Sequence, residues 1–530
     1  MKTVFVVLFV FTTLASSAQL AKLSPTGQQE YRINLKRGFA FVTPFSKSIR
    51  SYSVGDMIEN QAGGYIKFNV IKGESGDSKN GAYIHFMKLD RRLNITSEKE
   101  EFLIGEGSAN AIPVGVYSTK DGLNIITALP GKTVGTIDLR YWAFDLASLT
   151  LRKSNVALTT LPINAANQYD FNTFKLDDEK GFIMTVMEEG SKKQNAILHC
   201  LWIDKDLKLT NKQTTALPYL SNKGQLIKTL AAPNGVVYCL LGYPDDKNDE
   251  VAVNSVMMFT NGKSRLVPLT YKEGALVNCA ITLSATKGLL LGGMVWPGKK
   301  EYCSSLVTAT ISNEGKLENI HEENFASPLL DLLSEADTKK GVKRDYYVRS
   351  ISERTNGVVD VVINHCSQNS GWAGQYSRTP FTSANIYDVV VFSFDKDHLV
   401  STIPIKRNIE QYSERGMYVI TPQTFGVREV FTVGDDLYIM YFDNPGNTIG
   451  TNKKPKWVDF SKGRLTLARI DKNYKATQQE LIQFEKGGEF RSFYELRTRQ
   501  INDKQFILST NQYAVFSKNV KTSSILVNIN

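Results

Sequence analysis

The chain has 530 residues, 42% of them hydrophobic and 10% aromatic, which is ample for a folded core and unlike a disordered chain. Its formal net charge is +10, but the basic residues are scattered without a run of six like charges, which indicates a solvated surface and argues against nucleic-acid binding. Five cysteines without a CxxC pair imply no disulfide framework. They indicate small buried thiols, with one disulfide left open.

The N-terminal segment, residues 1–18, reads MKTVFVVLFVFTTLASSA. A basic start at Lys2, a short apolar run and a small-residue end are typical of a secretory signal peptide, here of the Gram-negative kind, with cleavage before Gln19. The apolar run is too short to span a membrane, and no later segment is long enough. We therefore expect residues 19–530 to form a secreted or periplasmic protein, monomeric and without a transmembrane segment.

The stretch Thr229–Leu241, TLAAPNGVVYCLL, has the pattern of two strands joined by a tight turn. Asn234-Gly235 favours a type I′ turn, which needs positive φ at both central residues. The apolar run that follows is typical of a strand buried on both faces. The sequence therefore predicts a β-hairpin here.

The same plan occurs eight times along the chain, each time as a turn followed by an apolar run. The turns are marked by Gly64, Gly122, Gly181, Gly235, Gly288, Gly357, Asp436 and Lys504. Their spacing of 53 to 79 residues is that of propeller blades or a related repeat array.

A second marker follows each of these runs: a further strand that ends in Asp or Asn, and then a return strand. These residues are Asp90, Asp145, Asp204, Asn313, Asp395 and Asp471, with Asn261 in a shorter version. We interpret them as structural turn residues that bond their own backbone, because no clustered carboxylates follow to hold calcium. Each unit therefore has four strands, which we call A to D.

These patterns predict an all-β protein, a β-propeller of eight four-stranded blades, or of seven if one marked unit is not a full blade. The last unit ends at strand C, in Ile525–Asn530, and Tyr31–Phe45 precedes the first unit. We expect the N-terminal stretch to supply the missing outer strand and close the ring within residues 19–530. The chain thus resembles secreted bacterial β-propellers, although it lacks WD and kelch signatures, and that fold hosts binding proteins and enzymes alike.

Three insertions interrupt the repeats, at about 326–345, 364–387 and 443–460. The first, around SPLLDLLSEADTKK, predicts a short helix with Ser327 as its N-cap. The other two read as long B–C loops of units six and seven, and loops of this length are usually functional. B–C loops and D–A connections emerge on one face of a propeller, so we expect the insertions to gather there.

This loop face is rich in aromatic and polar residues that suit a sugar or a protein partner. The ligand-binding residues predicted there are Trp296, Trp372, Tyr376, Arg378, Asp443, Trp457 and Asp459. The competing interpretation is that the aromatic rings only pin the long loops to the ring. The sequence favours a binding protein with a protein or glycan partner, the ligand itself being undetermined.

The catalytic inventory is thin, and no catalytic residue, cofactor or metal is predicted. His85 and His199 occupy equivalent places in their units, which indicates a repeated structural position. His365-Cys366 enters the insertion of unit six, but no further metal ligand follows it at a suitable spacing, and a Cys–His nucleophile pair is left open. The alternative function is a propeller-type hydrolase or lyase acting on glycans, which needs two carboxylates, or a histidine with a carboxylate, at the mouth of the channel.

Overall fold

The structure is a computed structural model, and it describes most of the chain beyond residue 18. The described residues are 19–32, 55–60, 63–71, 82–103, 111–119, 122–162, 168–176, 180–189, 194–220, 223–245, 248–260, 262–269, 274–284, 286–298, 302–326, 329–333, 341–343, 345–373, 379–396, 398–414, 426–450, 455–458, 462–485, 490, 496–513 and 519–530.

The strands fall into antiparallel units in chain order, each built as the sequence pattern predicts. Unit one comprises Gly55–Glu59, Tyr65–Ile71, Ala82–Leu89 and Ile95–Leu103. Unit two comprises Ile112–Ser118, Gly122–Pro130, Thr136–Asp145 and Leu151–Pro162. Unit three comprises Gln168–Lys175, Gly181–Glu189, Asn195–Asp204 and Leu209–Leu220. Unit four comprises Gln225–Ala231, Val237–Asp245, Asn248–Thr260 and Lys263–Pro268.

The second half of the chain follows the same order with additions. Unit five comprises Ala275–Ser284, Gly288–Trp296, Ser305–Ile311 and Leu317–Asn324. Unit six comprises Tyr346–Glu353, Val359–Ala373, Thr379–Asp395 and His398–Ile405. Unit seven comprises Val427–Val433, Asp436–Asp443, Arg464–Ile470 and Ala476–Gln483. Unit eight comprises Leu496–Asn502, Gln505–Tyr513 and Asn519–Ile529. The additions are Ala21–Leu23, Gly27–Arg32, Tyr302–Cys303, Val342–Lys343, Asn408–Glu414 and Trp457–Val458.

Unit eight is completed by the N-terminal strands, as predicted. Ala21–Leu23 and Gly27–Arg32 both pair antiparallel with Asn519–Ile529, in registers that include Ala21 with Ile529 and Gln29 with Thr522. Leu20 and Ala21 are buried in the core beside Ile525 and Val527. Closure of the ring by an N-terminal strand is therefore confirmed, but the strand lies at residues 21–32, mostly ahead of the predicted Tyr31–Phe45. Residues 33–45 lie outside the described part of the chain.

Hydrophobic clusters join each unit to the next all the way around. One cluster packs Phe86 of unit one against Phe144 of unit two, and equivalent clusters follow at every later junction. The series ends where Ile507 and Leu526 of unit eight pack against Met57 of unit one. Burial on both faces of strands such as Gly288–Trp296 supplies these contacts, because each B strand lies between two neighbours.

The A strands of neighbouring units contact one another and so line the axis of the ring. This strand order, the antiparallel pairing and the closing N-terminal strand define a β-propeller. Units four and five are also joined into one eight-stranded sheet through Val253 and Leu276. The number of blades therefore stays a prediction.

The A–B turn of unit four differs in type from the prediction. Gly235 has φ of +91°, as expected, but Asn234 is not among the residues with positive φ. The Gly235 amide donates to Ala232 O at 2.8 Å, so the turn spans residues 232–235 with Pro233 as its first central residue. Proline fixes φ near −65° and thereby favours a type I turn followed by a glycine bulge, so the type I′ prediction is wrong.

The C–D turns behave as predicted. Asp90 Oδ1 accepts hydrogen bonds from the amides of Arg92 and Asn94 at 2.8 and 2.9 Å. Asp204 and Asp471 make the same two bonds in their own turns. These side chains close the turns by bonding the local backbone, which confirms their structural interpretation.

The predicted helix in the first insertion is represented by a single 3₁₀ turn, Leu330–Leu332. Leu329, Leu330 and Leu333 are buried against units five and six, as the apolar pattern indicated. Ser327 and residues 334–340 lie outside the described residues. No helix among the described residues is long and apolar enough to cross a membrane.

Candidate binding face of units five to seven

The insertion of unit six is a β-hairpin and not the loop that the sequence predicted. Strands Val359–Ala373 and Thr379–Asp395 stay paired as far as Ala373 and Thr379, well beyond the ordinary strand length of the other units. A register shift between Asn364 and Cys366 marks where the hairpin leaves the unit, and bulges commonly bend a strand in this way. Period-two alternation in this polar stretch was too weak to predict strands.

Two further strands widen this hairpin into a small accessory sheet. Asn408–Glu414 pairs with residues 381–386 of the hairpin. Trp457–Val458, from the insertion of unit seven, pairs in parallel with Asn408 and Ile409. The two insertions are thus parts of one structure on the B–C face, and the sequence reasoning placed them on the same face without finding their pairing.

Arg407 anchors the base of the accessory sheet. Its guanidinium is buried and donates to Tyr387 O at 3.0 Å, Gly426 O at 2.7 Å and Asn364 Oδ1 at 2.5 Å. Burial lowers the pKa of this arginine, while the nearby carboxylates, Asp443 first, oppose that shift. Because these bonds join units six and seven, Arg407 is a structural residue that the sequence reasoning missed.

Asp443 lies beside this arginine at the end of strand B of unit seven. It is 2% exposed, and its Oδ1 accepts hydrogen bonds from the Asn444 amide and from Asn447 Nδ2, both at 2.7 Å. Burial raises the pKa of its carboxyl, although Asn447 and Arg407 oppose the rise. Its contacts are those of a residue that folds the 443–450 turn.

His365 is stacked between two tyrosine rings at the same level. Its ring centroid lies 4.3 Å from that of Tyr346 and 4.8 Å from that of Tyr387, and its Nε2 lies 3.2 Å from Asp345 Oδ2. The imidazole is fully buried. A histidine and a carboxylate therefore meet on this face, but the histidine is closed off from solvent.

Cys366, its neighbour, lies in the core cluster of units seven and eight. Burial raises the pKa of its thiol to about 12, with the charge of Arg407 acting in the opposite direction. A reactive cysteine needs a lowered pKa and access to solvent, so the Cys–His nucleophile pair left open by the sequence has no support. All five cysteines are free thiols.

Trp457 is the predicted ligand-binding residue that the structure places on the surface. Its side chain is 53% exposed, although its backbone is fixed by strand pairing and by Asn444 Nδ2, which donates to Trp457 O at 2.8 Å. Tryptophan fixed in this way is suited to contact a ligand.

Beyond Trp457 and Asp443, the structure describes the side chain of one predicted ligand residue, Trp296. Trp296 is 6% exposed and packs in the core between units five and six. This agrees with the competing interpretation, in which the aromatic ring has a structural role. Trp372 lies in the hairpin, with its side chain outside the described ones. Tyr376, Arg378 and Asp459 lie outside the described residues.

The histidines of units one and three have the surroundings of structural residues. His85 and His199 are both 2% exposed, with Nε2 at 3.0 Å from Glu98 and 3.6 Å from Glu188 respectively. Within the described part of the chain, no group of three histidine, cysteine or acidic residues is arranged to hold a metal ion.

Comparison with known proteins gives limited similarity. No protein-family model matches the chain, and no curated protein matches it. The chain is similar to the solved structure of polysaccharide lyase Uly1, with 8% identity, 79% of this chain and 90% of that chain covered, and a TM-score of 0.37. It is also similar to the β-propeller domain of the Trilobed protease from Pyrococcus furiosus, with 10% identity, coverages of 82% and 98%, and a TM-score of 0.33. A protein of unknown function from Dyadobacter fermentans gives 12% identity, coverages of 68% and 95%, and a TM-score of 0.30. At these scores none of the three bears on activity.

Proposed function

We propose that this is a secreted or periplasmic binding protein that engages a protein or glycan partner through the B–C face of units five to seven. The observation that carries the proposal is Trp457, half-exposed on a strand whose backbone is fixed by its neighbours. A large aromatic ring left in water on a rigid support is the usual form of a binding anchor.

The chemistry of the surrounding groups supports binding over catalysis. A glycan hydrolase needs two carboxyl groups that reach the substrate from opposite sides. On this face Asp443 is enclosed by hydrogen bonds, and the imidazole of His365 is closed in between tyrosine rings. Both groups stabilise the accessory sheet, and neither side chain meets solvent.

The test compares residues 19–530 as wild type, Trp457→Ala and Phe102→Ala. Phe102 is 50% exposed on the outer strand of unit one, so its removal deletes a similar apolar area in a unit outside the proposed site. Each protein would be titrated with a panel of oligosaccharides by tryptophan fluorescence and used to capture partners from a cell-envelope extract. Captured partners would then be purified and titrated singly.

We expect a ligand whose affinity falls at least tenfold in Trp457→Ala and is unchanged in Phe102→Ala, because hot-spot aromatic residues contribute ~2 kcal/mol or more. Equal binding by all three proteins would place the site elsewhere. New reducing ends or unsaturated products from any oligosaccharide would replace the proposal by the glycan-enzyme alternative.

A further inference from the structure

Basic side chains lie on the A strands of units four, six, seven and eight, and the A strands border the axial channel. Lys228 lies on strand A of unit four, Arg349 on that of unit six and Arg428 on that of unit seven. Arg497 and Arg499 lie on strand A of unit eight. The sequence gives no sign of this, because these five residues are spread over more than 270 positions.

Backbone bulges direct two of these arginines. The A strands of units six and seven each carry an extra residue opposite strand B, Arg349 between Val348 and Ser350, and Arg428 between Val427 and Glu429. Units two and four have bulges at the same distance before their turns, occupied by Val114 and Ile227. The repeat thus provides a bulged position near the axis, and units six and seven place arginine there. Bulges often re-aim a side chain next to a functional site.

Three of these cations reach toward the next unit. Arg349 Nη2 donates to Arg428 O at 3.2 Å, and Arg428 Nε donates to Thr498 Oγ1 at 3.1 Å. Lys228 Nζ donates to Ile281 O on strand A of unit five at 3.0 Å. These bonds fix the directions of the three side chains.

The cations repel one another. Burial, followed by the charge of Arg349, lowers the pKa of Lys228. Burial also lowers the pKa of Arg428; the charge of Glu429 opposes that shift, and those of Arg349 and Arg497 add to it. Lys67, from strand B of unit one, joins the same group. Burial, followed by the charge of Arg497, lowers its pKa to about 8.

Two carboxylates lie among the described residues of these strands, against five cations. Glu429 lies between Arg349 and Arg428, and burial raises its pKa in spite of both arginines. Glu353 is engaged at the A–B turn of unit five by Lys287 Nζ at 3.0 Å and by Ser284 Oγ at 2.5 Å. Arg349 Nε is buried and has no hydrogen-bond partner among the described residues.

The side chains remain accessible to a ligand. Lys228, Arg497 and Arg499 are exposed to solvent, although burial lowers the pKa of Lys228 and Arg499. Since the A strands border the axis of the ring, these exposed groups lie at the axial channel. Ligand sites are commonly concave.

We propose that the axial channel, on the side of units six, seven, eight and one, binds an anionic ligand that carries several carboxylate or phosphate groups. Arginine guanidiniums bind both oxyanions in bidentate fashion, and a bound anion would relieve the repulsion among the cations. This site is separate from the accessory sheet and its occupation does not depend on Trp457.

The test is calorimetric titration of residues 19–530 with trigalacturonate, pyrophosphate and, as a neutral control, maltotriose. The channel variant is Arg349→Gln/Arg497→Gln. The matched control is Lys153→Gln/Lys263→Gln, which removes the same charge from exposed positions on outer D strands. We expect at least one of the two anions to bind at low salt, to lose at least tenfold in affinity in the channel variant, and to bind the control normally.

Binding of trigalacturonate alone would identify the natural ligand as a carboxylated glycan, and binding of pyrophosphate alone would identify a phosphate-bearing ligand. Binding of neither anion, or an equal loss in the channel and control variants, would overturn the proposal. A second variant, Lys67→Met, keeps the proposal testable if the arginine variant fails to fold. Its affinity for the anion should be several-fold lower than that of the wild type at pH 7. In the wild type we expect the affinity for trigalacturonate to fall between pH 7 and 9, and in Lys67→Met that fall should be much smaller.

Discussion

Units two and three differ from units six and seven in how many charged side chains they bury. The charged side chain buried in units two and three, among their described residues, is Glu188. In units six and seven the buried charged side chains are Arg354, Asp360, Asp388, Arg407, Asp443 and Arg464. The first pair of units consists of plain four-stranded sheets, whereas the second carries the accessory sheet. Apolar packing is sufficient to repeat a unit, and the departures from the repeat are held in place by buried ions and their hydrogen bonds.

The largest effect should come from breaking the ring that both regions share. Deleting residues 19–32 removes the outer strand of unit eight and exposes the core residues Ile525 and Val527. We expect loss of the cooperative thermal transition, measured by circular dichroism. Ala21→Glu, which places a charge in a fully buried position, should approach that result, while the exposed neighbour change Lys22→Glu should not. Unchanged melting of the deletion would show that the closing strand is dispensable.

The buried ion pair of unit six is the next test. Arg354 and Asp360 form two hydrogen bonds, of 2.6 and 3.0 Å, and both side chains are fully buried. Asp360→Ala leaves the arginine charge without its partner, so we expect a loss of about 3–5 kcal/mol of unfolding free energy in urea titrations. The control, Glu485→Ala, removes an exposed carboxylate that follows the last strand of unit seven. Equal stability of the two variants would contradict the importance of buried ions in this region.

Lys67 provides a pH test of the channel side of unit one. Its folded pKa of about 8 lies below the ordinary lysine value of 10.5, so the unfolded chain holds more protons between these two values and stability rises with pH across that window. Below pH 8 the charged lysine destabilises the fold. Lys67→Met should therefore stabilise the protein by roughly 1–3 kcal/mol at pH 7, and this gain should shrink by pH 9. A gain that is independent of pH would mean that apolar packing, and not the charge, is responsible.

The smallest effect concerns the turns that define the repeat. Gly235 has positive φ but open space, its nearest neighbour being Trp202 Nε1 at 3.7 Å from a built Cβ. Gly235→Val should cost about 1–2 kcal/mol from backbone strain alone. At Gly181 a Cβ would lie 2.0 Å from Ile203 O, so Gly181→Val should cost more. Thermal melting of both variants orders the two costs, and a reversed order would contradict the geometry.

The regular parts of the fold could be predicted because their signals are local. Turn residues such as Gly235 and Asp204 act on their immediate backbone, and runs such as VVYCLL bury themselves wherever a unit is placed. The accessory sheet could not be predicted, because Asn408 meets Trp457 only after two units have folded. The same applies to the candidate sites. Trp457 could be identified as an aromatic residue of an insertion, whereas the burial of Trp296 and the approach of Arg349 to Arg428 depend on packing between units.

The closing strand also has a consequence for the order of folding. Ser24 bonds Leu526 across a separation of 502 residues, so the strand made first receives its partner last. At bacterial and eukaryotic synthesis rates this corresponds to a delay of about 25–100 s. During that time the strands of unit eight have not all been made, so the junction with unit one is absent. Contacts of such high sequence separation also form slowly. The ring is therefore a structure that the chain completes after synthesis, and a nascent chain stays open until the strand around Leu526 arrives.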